Sequence, residues 1–154
     1  MEPIKLANSP ITYFVSRTGQ AEWVLFLHAA FVDHNMFWAQ FAYFADKYNI
    51  LAVDIIGHGQ SADARKGDTI DQMSKWLSDI METEHIDKVH IVGVSLGAVL
   101  AQDIANRYPH AVSSLACFGG YDINHFDAKM KHENSAKQTL MMLKALFSVK
   151  WFAK

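Results

Sequence analysis

One serine stands between two glycines in Val89-His-Ile-Val-Gly-Val-Ser-Leu-Gly-Ala-Val-Leu-Ala101, where an apolar run of strand character passes into helical spacing. A chain that leaves a strand and enters a helix within a few residues crowds its own side chains, and glycine at 93 and 97 removes that collision. Such a turn holds the Ser95 oxygen above the carboxyl end of a sheet and aims the N–H of Leu96 at the same point from a helix N-terminus. The chemistry implied is nucleophilic, with Ser95 attacking and Leu96 offering one oxyanion donor. Any glycine-rich turn can produce Gly-x-Ser-x-Gly. The pattern takes its weight from the strand before it and the helix after it, and a purely structural turn is the competing reading.

A serine hydroxyl is a poor nucleophile until a base takes its proton, usually a histidine oriented by a carboxylate. The chain holds eight histidines. His28 and His58 lie in loops near the expected mouth and read as residues that orient backbone. His125 and His132 follow Ser95 and reach it only if the tail folds back, while His34, His85, His90 and His110 have no motif reason to be catalytic. No pair shows zinc-type spacing with a further ligand, so no metal is expected.

The elements that must position Ser95 follow from apolar periodicity. Ile4–Ala7 and Ile11–Arg17 flank the turn Asn8-Ser9-Pro10 and read as an antiparallel hairpin. Trp23–His28, Ile50–Ile56, Lys88–Gly93 and Val112–Phe118 read as strands, the first two so continuously apolar that both faces should be covered. Between them, Met36–Lys47 and Leu96–Tyr108 have helical spacing. A capping box at Thr69-Ile-Asp-Gln72 opens a third helix, with Ile70, Met73, Leu77, Ile80 and Met81 on one face. The order predicts an α/β fold: a mostly parallel sheet with helices on both faces, an N-terminal antiparallel hairpin and a helical C-terminal tail.

Composition narrows the function. In 154 residues, 51% are apolar and 19% charged, which suits a globular core. A net charge of −2 carries no footprint for nucleic acid, and small-molecule chemistry is the better expectation. No run of about 18 apolar residues reads as membrane-spanning. The single cysteine, Cys117, cannot make an internal disulfide, and Met1-Glu-Pro-Ile-Lys lacks a secretory pattern, so the cytoplasm is the expected compartment. Charge shifts from −6 over residues 1–124 to +4 over 125–154, which suggests a core, 1–124, and an attached cap-like segment, 125–154. That tail is apolar around most of a helical circumference, with Lys137, Lys144 and Ser148 on a narrow stripe, and must cover a pocket mouth, a partner chain or a membrane surface.

With Gly93-Val-Ser-Leu-Gly97 in this context, the sequence resembles the α/β-hydrolase family. Leu27-His-Ala-Ala-Phe31 looks like the family's His-Gly segment, Asp54-Ile-Ile-Gly-His-Gly-Gln-Ser61 is similar to its Asp-x-x-Gly-x-Gly-x-Ser loop, and Asp33-His-Asn-Met-Phe-Trp38 resembles the entry to its first major helix. The resemblance spans residues 4 to about 122 in family order. It implies that the backbone of Ala30, with Phe31 as the neighbouring alternative, gives the second oxyanion donor. Ala29 departs from the pattern, standing where the family has glycine. The resemblance also places the acid and the histidine beyond the visible strands, so the chain reads as an N-terminal half plus the start of a cap. Asp122 is the visible alternative acid, against a solvated turn residue.

Gly57-His-Gly-Gln-Ser-Ala62 loosely fits a dinucleotide fingerprint but lacks the helix that must begin inside it, so no cofactor is expected. Missing strands would leave a sheet edge uncovered. The chain is therefore expected to be part of a larger enzyme, a fragment, or an oligomer whose second copy covers that edge. The leading reading is a serine hydrolase of a small ester, thioester or lactone, with Met130, Met141, Met142 and Phe147 either lining an acyl pocket or packing a helical core. The alternatives are a non-catalytic interaction module on the same fold and a carbon–carbon bond hydrolase.

Overall fold

The computed structural model describes residues 1–63 and 65–124. The chain divides into two compact units, Met1–Tyr121 and Asp122–Lys154. Within the first, six strands form one sheet: β1 (Pro3–Lys5), β2 (Thr12–Ser16), β3 (Trp23–Leu27), β4 (Asn49–Asp54), β5 (Val89–Val94) and β6 (Val112–Phe118). Their spatial order is β1-β2-β4-β3-β5-β6. The β1–β2 and β2–β4 pairs are antiparallel, and β4–β3, β3–β5 and β5–β6 are parallel. The fold is α/β, with a mostly parallel sheet and an antiparallel N-terminal margin.

Alternation along the strands sorts the apolar side chains to two faces. Leu25, Leu27, Leu51, Val53 and Ile91 join one cluster with Met73, Leu77, Ile80, Leu100 and Ile104, from helices α2 (Met73–Thr83) and α3 (Leu96–Arg107). Val24, Phe26, Ile50 and Ala52 join the other, against Phe37 and, from α1 (Trp38–Phe44), Phe41 and Phe44. Phe26 meets Phe37, Phe41 and Phe44 at ring separations of 5.0, 5.3 and 6.0 Å, within the span of favourable aromatic pairs. Both faces are therefore covered, and β3 and β4 are buried along their whole length.

Several boundaries differ from the periodic reading. The first strand ends at Lys5 because Leu6 turns inward and its N–H donates to the Ile11 carbonyl. The expected helix Met36–Lys47 is a 3-10 turn, His34–Phe37, capped by the Asp33 carboxylate, which then runs into the shorter α1. The Thr69–Gln72 capping box is present, yet it opens a 3-10 turn over Ile70–Gln72 before α2 begins. Ile70 is consequently exposed, while Met73, Leu77, Ile80 and Met81 are buried as the spacing predicts. The tail reading over 125–154, with His125, His132, Met130, Met141, Met142 and Phe147, lies outside the described residues. Among the described residues no helix is long and apolar enough to cross a membrane.

Candidate active site

Ser95 is the single residue between β5 and α3. It is exposed, and its backbone sits at φ 52, ψ −110, a region that residues other than glycine occupy at an expense of roughly 1–3 kcal/mol. The surroundings hold it there. The Ser95 N–H donates to the Phe118 carbonyl at the end of β6, 2.8 Å away, and the Ser95 carbonyl accepts from the N–H groups of Ala98 and Val99. The flanking glycines answer to close approach. A Cβ on Gly93 would overlap the Gly97 carbonyl and come within 2.8 Å of the Ala98 Cα, and one on Gly97 would overlap the Leu27 backbone. Helix α3 thus starts hard against the end of β3 as well as β5. The Ser95 side chain makes no cap hydrogen bond, and no described residue engages its hydroxyl.

The end of β3 contributes the second loop. His28 is fully buried, and its Nε2 accepts from the Ile55 N–H at 2.9 Å. That bond requires the proton on Nδ1, which donates to the Ala29 carbonyl at 2.7 Å. Burial pushes the His28 pKa below the ordinary histidine value, against the opposing pull of the Ala29 carbonyl and Asp54, so the ring works as a neutral brace between the loops after β3 and β4. On the far side, the Ala29 N–H donates to the Met36 thioether at 3.3 Å. Ala30 is half-buried, and neither its N–H nor that of Leu96 donates to another described group. The two backbone donors named from sequence therefore stand unengaged among the described residues. Phe31 follows with φ 68 and an exposed ring.

The loop after β4 is polar, and its buried side chains Asp54 and Ser61 are engaged within the fold. Fully buried Asp54 accepts through Oδ1 from the His34 N–H at 2.9 Å and from His34 Nδ1 at 2.8 Å, and through Oδ2 from the Gln60 N–H at 2.8 Å. The His34 ring stacks on Phe14 with centroids 3.6 Å apart. Ser61 is also fully buried, and its Oγ accepts from the Thr12 N–H in β2 at 2.8 Å. A Cβ on Gly59 would run into the Asp54 carboxylate and lie 2.9 Å from the Asp33 Cβ. Asp54-x-x-Gly-x-Gly-x-Ser61 is thus a clamp that ties β4, β2 and the entry to α1 together. Sequence reasoning missed His34, whose partner lies 20 positions away and leaves no local signal. Gly57-His-Gly-Gln-Ser-Ala62 opens only the short 3-10 turn Gly59–Ser61, whereas a dinucleotide fingerprint requires a full helix to begin there.

Asp122 belongs to the second unit, where its exposed carboxylate accepts from the Asn124 N–H at 2.9 Å, the bond of a turn residue. No described histidine or carboxylate hydrogen-bonds to Ser95. Among the described residues no group of three or more His, Cys, Asp or Glu side chains could hold a metal ion.

A serine lifted by a strand–turn–helix to the carboxyl end of a mostly parallel sheet places the chain in the class of α/β scaffolds with a strand–serine turn–helix at the sheet's carboxyl end. Comparison with known proteins gives the same answer from independent data. Residues 22–153 match the family described as alpha/beta hydrolase fold. The chain is 34% identical, over 67% of its length, to the dihydrolipoyllysine-residue acetyltransferase component of the acetoin cleaving system of Cupriavidus necator. It is 25% identical, over 76% of its length, to (E)-2-((N-methylformamido)methylene)succinate hydrolase of Acinetobacter baylyi. The fold superimposes on a hydrolase from Pseudomonas aeruginosa PA01 with a TM-score of 0.71 at 17% identity over 90% of the chain. The chain spans 28% and 44% of the two relatives and 52% of the solved structure. It belongs to the α/β-hydrolase fold family.

Proposed function

We propose that Ser95 is the nucleophile of a hydrolase acting on a small, mostly apolar ester, thioester or lactone. The observation that carries this reading is an exposed serine whose hydroxyl no described residue engages, on a backbone held in the left-handed region between β5 and α3. Strain of that kind persists only where its surroundings over-determine it, and it clusters at reactive sites. In the proposed reaction the Ser95 proton passes to a histidine base as Oγ bonds to the acyl carbon, and the carbonyl oxygen becomes an oxyanion. The N–H groups of Leu96 and Ala30 receive it. Collapse breaks the bond to the leaving group, which takes the proton, and water then releases the acid and restores the hydroxyl. The proposal places the base outside the described residues and keeps Asp122 as the described carboxylate that could serve as acid. A fluorophosphonate probe tests it. Covalent labelling that Ser95→Ala abolishes is expected; an unlabelled wild-type chain, or labelling that persists in the variant, overturns it.

A second reading, a non-catalytic interaction module, is favoured by one observation. The marginal strand β6 exposes Leu115 and Phe118, the latter by 58%, and Tyr121 beyond it is exposed as well. An unlabelled Ser95 in a chain that associates through this margin would support that reading instead.

A further inference from the structure

Phe31 carries two local expenses that the fold does not require. Its φ of 68 lies in the left-handed region, an outlier for a bulky side chain, and its ring is 76% exposed, more than any other large apolar side chain among the described residues. A glycine would satisfy the turn, and a polar side chain would suit the exposure. The ring projects into an open cleft of about 690 Å³ that it lines with Val32, Met36, His58, Gly57 and Asp33. Among the described residues its one ring neighbour is His58, with centroids 6.4 Å apart and planes inclined by 56°, so two angled rings line the cleft. The Met36 side chain lines the same cleft, and its thioether accepts from the Ala29 N–H. Polarizable sulfur beside two rings favours a third ring over an alkyl chain, through edge contacts that saturated carbon does not make. The one ionisable acid in the lining, Asp33, repels an anionic substituent.

We propose that Phe31 is a specificity-determining residue, whose ring, with those of His58 and the Met36 thioether, receives an uncharged aromatic ring of the substrate. The identification of the occupant as substrate rests on the reading of Ser95 as nucleophile; the ring-binding cleft itself does not. The full chain carrying Ser95→Ala, with 13C-methyl methionine, is titrated with methyl benzoate and with its size-matched saturated counterpart, methyl cyclohexanecarboxylate. The Met36 methyl signal, assigned by its loss in Met36→Leu, is the readout. Methyl benzoate should move that signal and bind roughly twofold to tenfold more tightly, the range that one aromatic pair supplies. Phe31→Leu, which keeps apolar area without the ring, should erase the preference. Phe31→Gly should erase it too while raising the melting temperature, since the backbone strain is relieved. Equal affinities, a preference that survives Phe31→Leu, or a Met36 methyl that neither ester moves would each overturn the proposal. Probe labelling of wild-type Ser95 without ring preference removes this inference alone; ring preference without labelling removes the hydrolase reading and leaves the cleft.

Discussion

Two serines sit at the carboxyl end of the same sheet, each in a glycine-punctuated loop after a parallel strand, and they have opposite environments. Ser61 is fully buried, and its oxygen accepts from Thr12 of the neighbouring β2. Ser95 is exposed, its oxygen engaged by no described residue and its backbone left-handed. The loop holding Ser61 has far more polar chemistry on paper, with Asp54, His58 and the nearby His34, yet Asp54 and Ser61 satisfy donors inside the fold and His58 Nδ1 lies 3.0 Å from the Ile56 carbonyl of its own loop. Density of polar residues marks the scaffold here. The proposed reactive group is instead the one left without a partner among the described residues, on a stretch of chain held against its own preference.

The largest test of that contrast is Asp54→Ala. It leaves the His34 N–H, the His34 ring and the Gln60 N–H without their acceptor in a buried site, and breaking such an arrangement by removing one partner destabilises by about 3–5 kcal/mol. Urea denaturation of the variant against wild type measures it, and a loss under about 1 kcal/mol would show that the clamp is ornamental. Ser61→Ala is the next step down. It strands the Thr12 N–H at a fully buried position, for an expected loss of about 1–3 kcal/mol.

The clamp and the turn differ in how far the sequence exposes them. The succession of strands and helices and the covered faces are legible because β3 and β4 are apolar at consecutive positions and the helices carry clean spacing, whereas the spatial order that sets β4 between β2 and β3 is not. The Ser95 turn is legible for a steric reason: glycine at 93 and 97 is what close approach to Gly97 and Leu27 demands, and that demand is written locally. By contrast, the His34–Asp54 pair joins two residues through the tertiary structure alone, and the 3-10 openings before α1 and α2 share their apolar spacing with the helices they precede. The left-handed backbone of Phe31 is hidden for a related reason. Only glycine or asparagine announces such a conformation, and phenylalanine conceals it.

Ser95→Gly sharpens the comparison from the other side. Relief of the left-handed backbone should raise stability by roughly 1 kcal/mol, whereas Ser95→Ala retains the strain and should stay within about 0.5 kcal/mol of wild type. Both variants should lose probe labelling. Ser95→Gly melting below wild type would mean that the hydroxyl, and not the backbone, is what the fold uses at this position.

The smallest effect, nil at neutral pH, belongs to His28. Its ring is braced in the neutral form with its pKa below the ordinary histidine value. The unfolded chain therefore binds a proton that the folded chain refuses, and stability that is fully present above the unfolded histidine pKa of about 6.5 declines as the pH falls from there toward the folded value. Thermal melts of wild type and His28→Gln between neutral pH and about 5.5 should show the wild type falling more steeply, because glutamine cannot take up the proton. Equal slopes would mean that the ring is protonated where it lies. Its Nε2 would then be a donor facing the Ile55 N–H, and the brace between the loops after β3 and β4 would have to give way, along with the setting of the Ala29–Phe31 backbone that it supports.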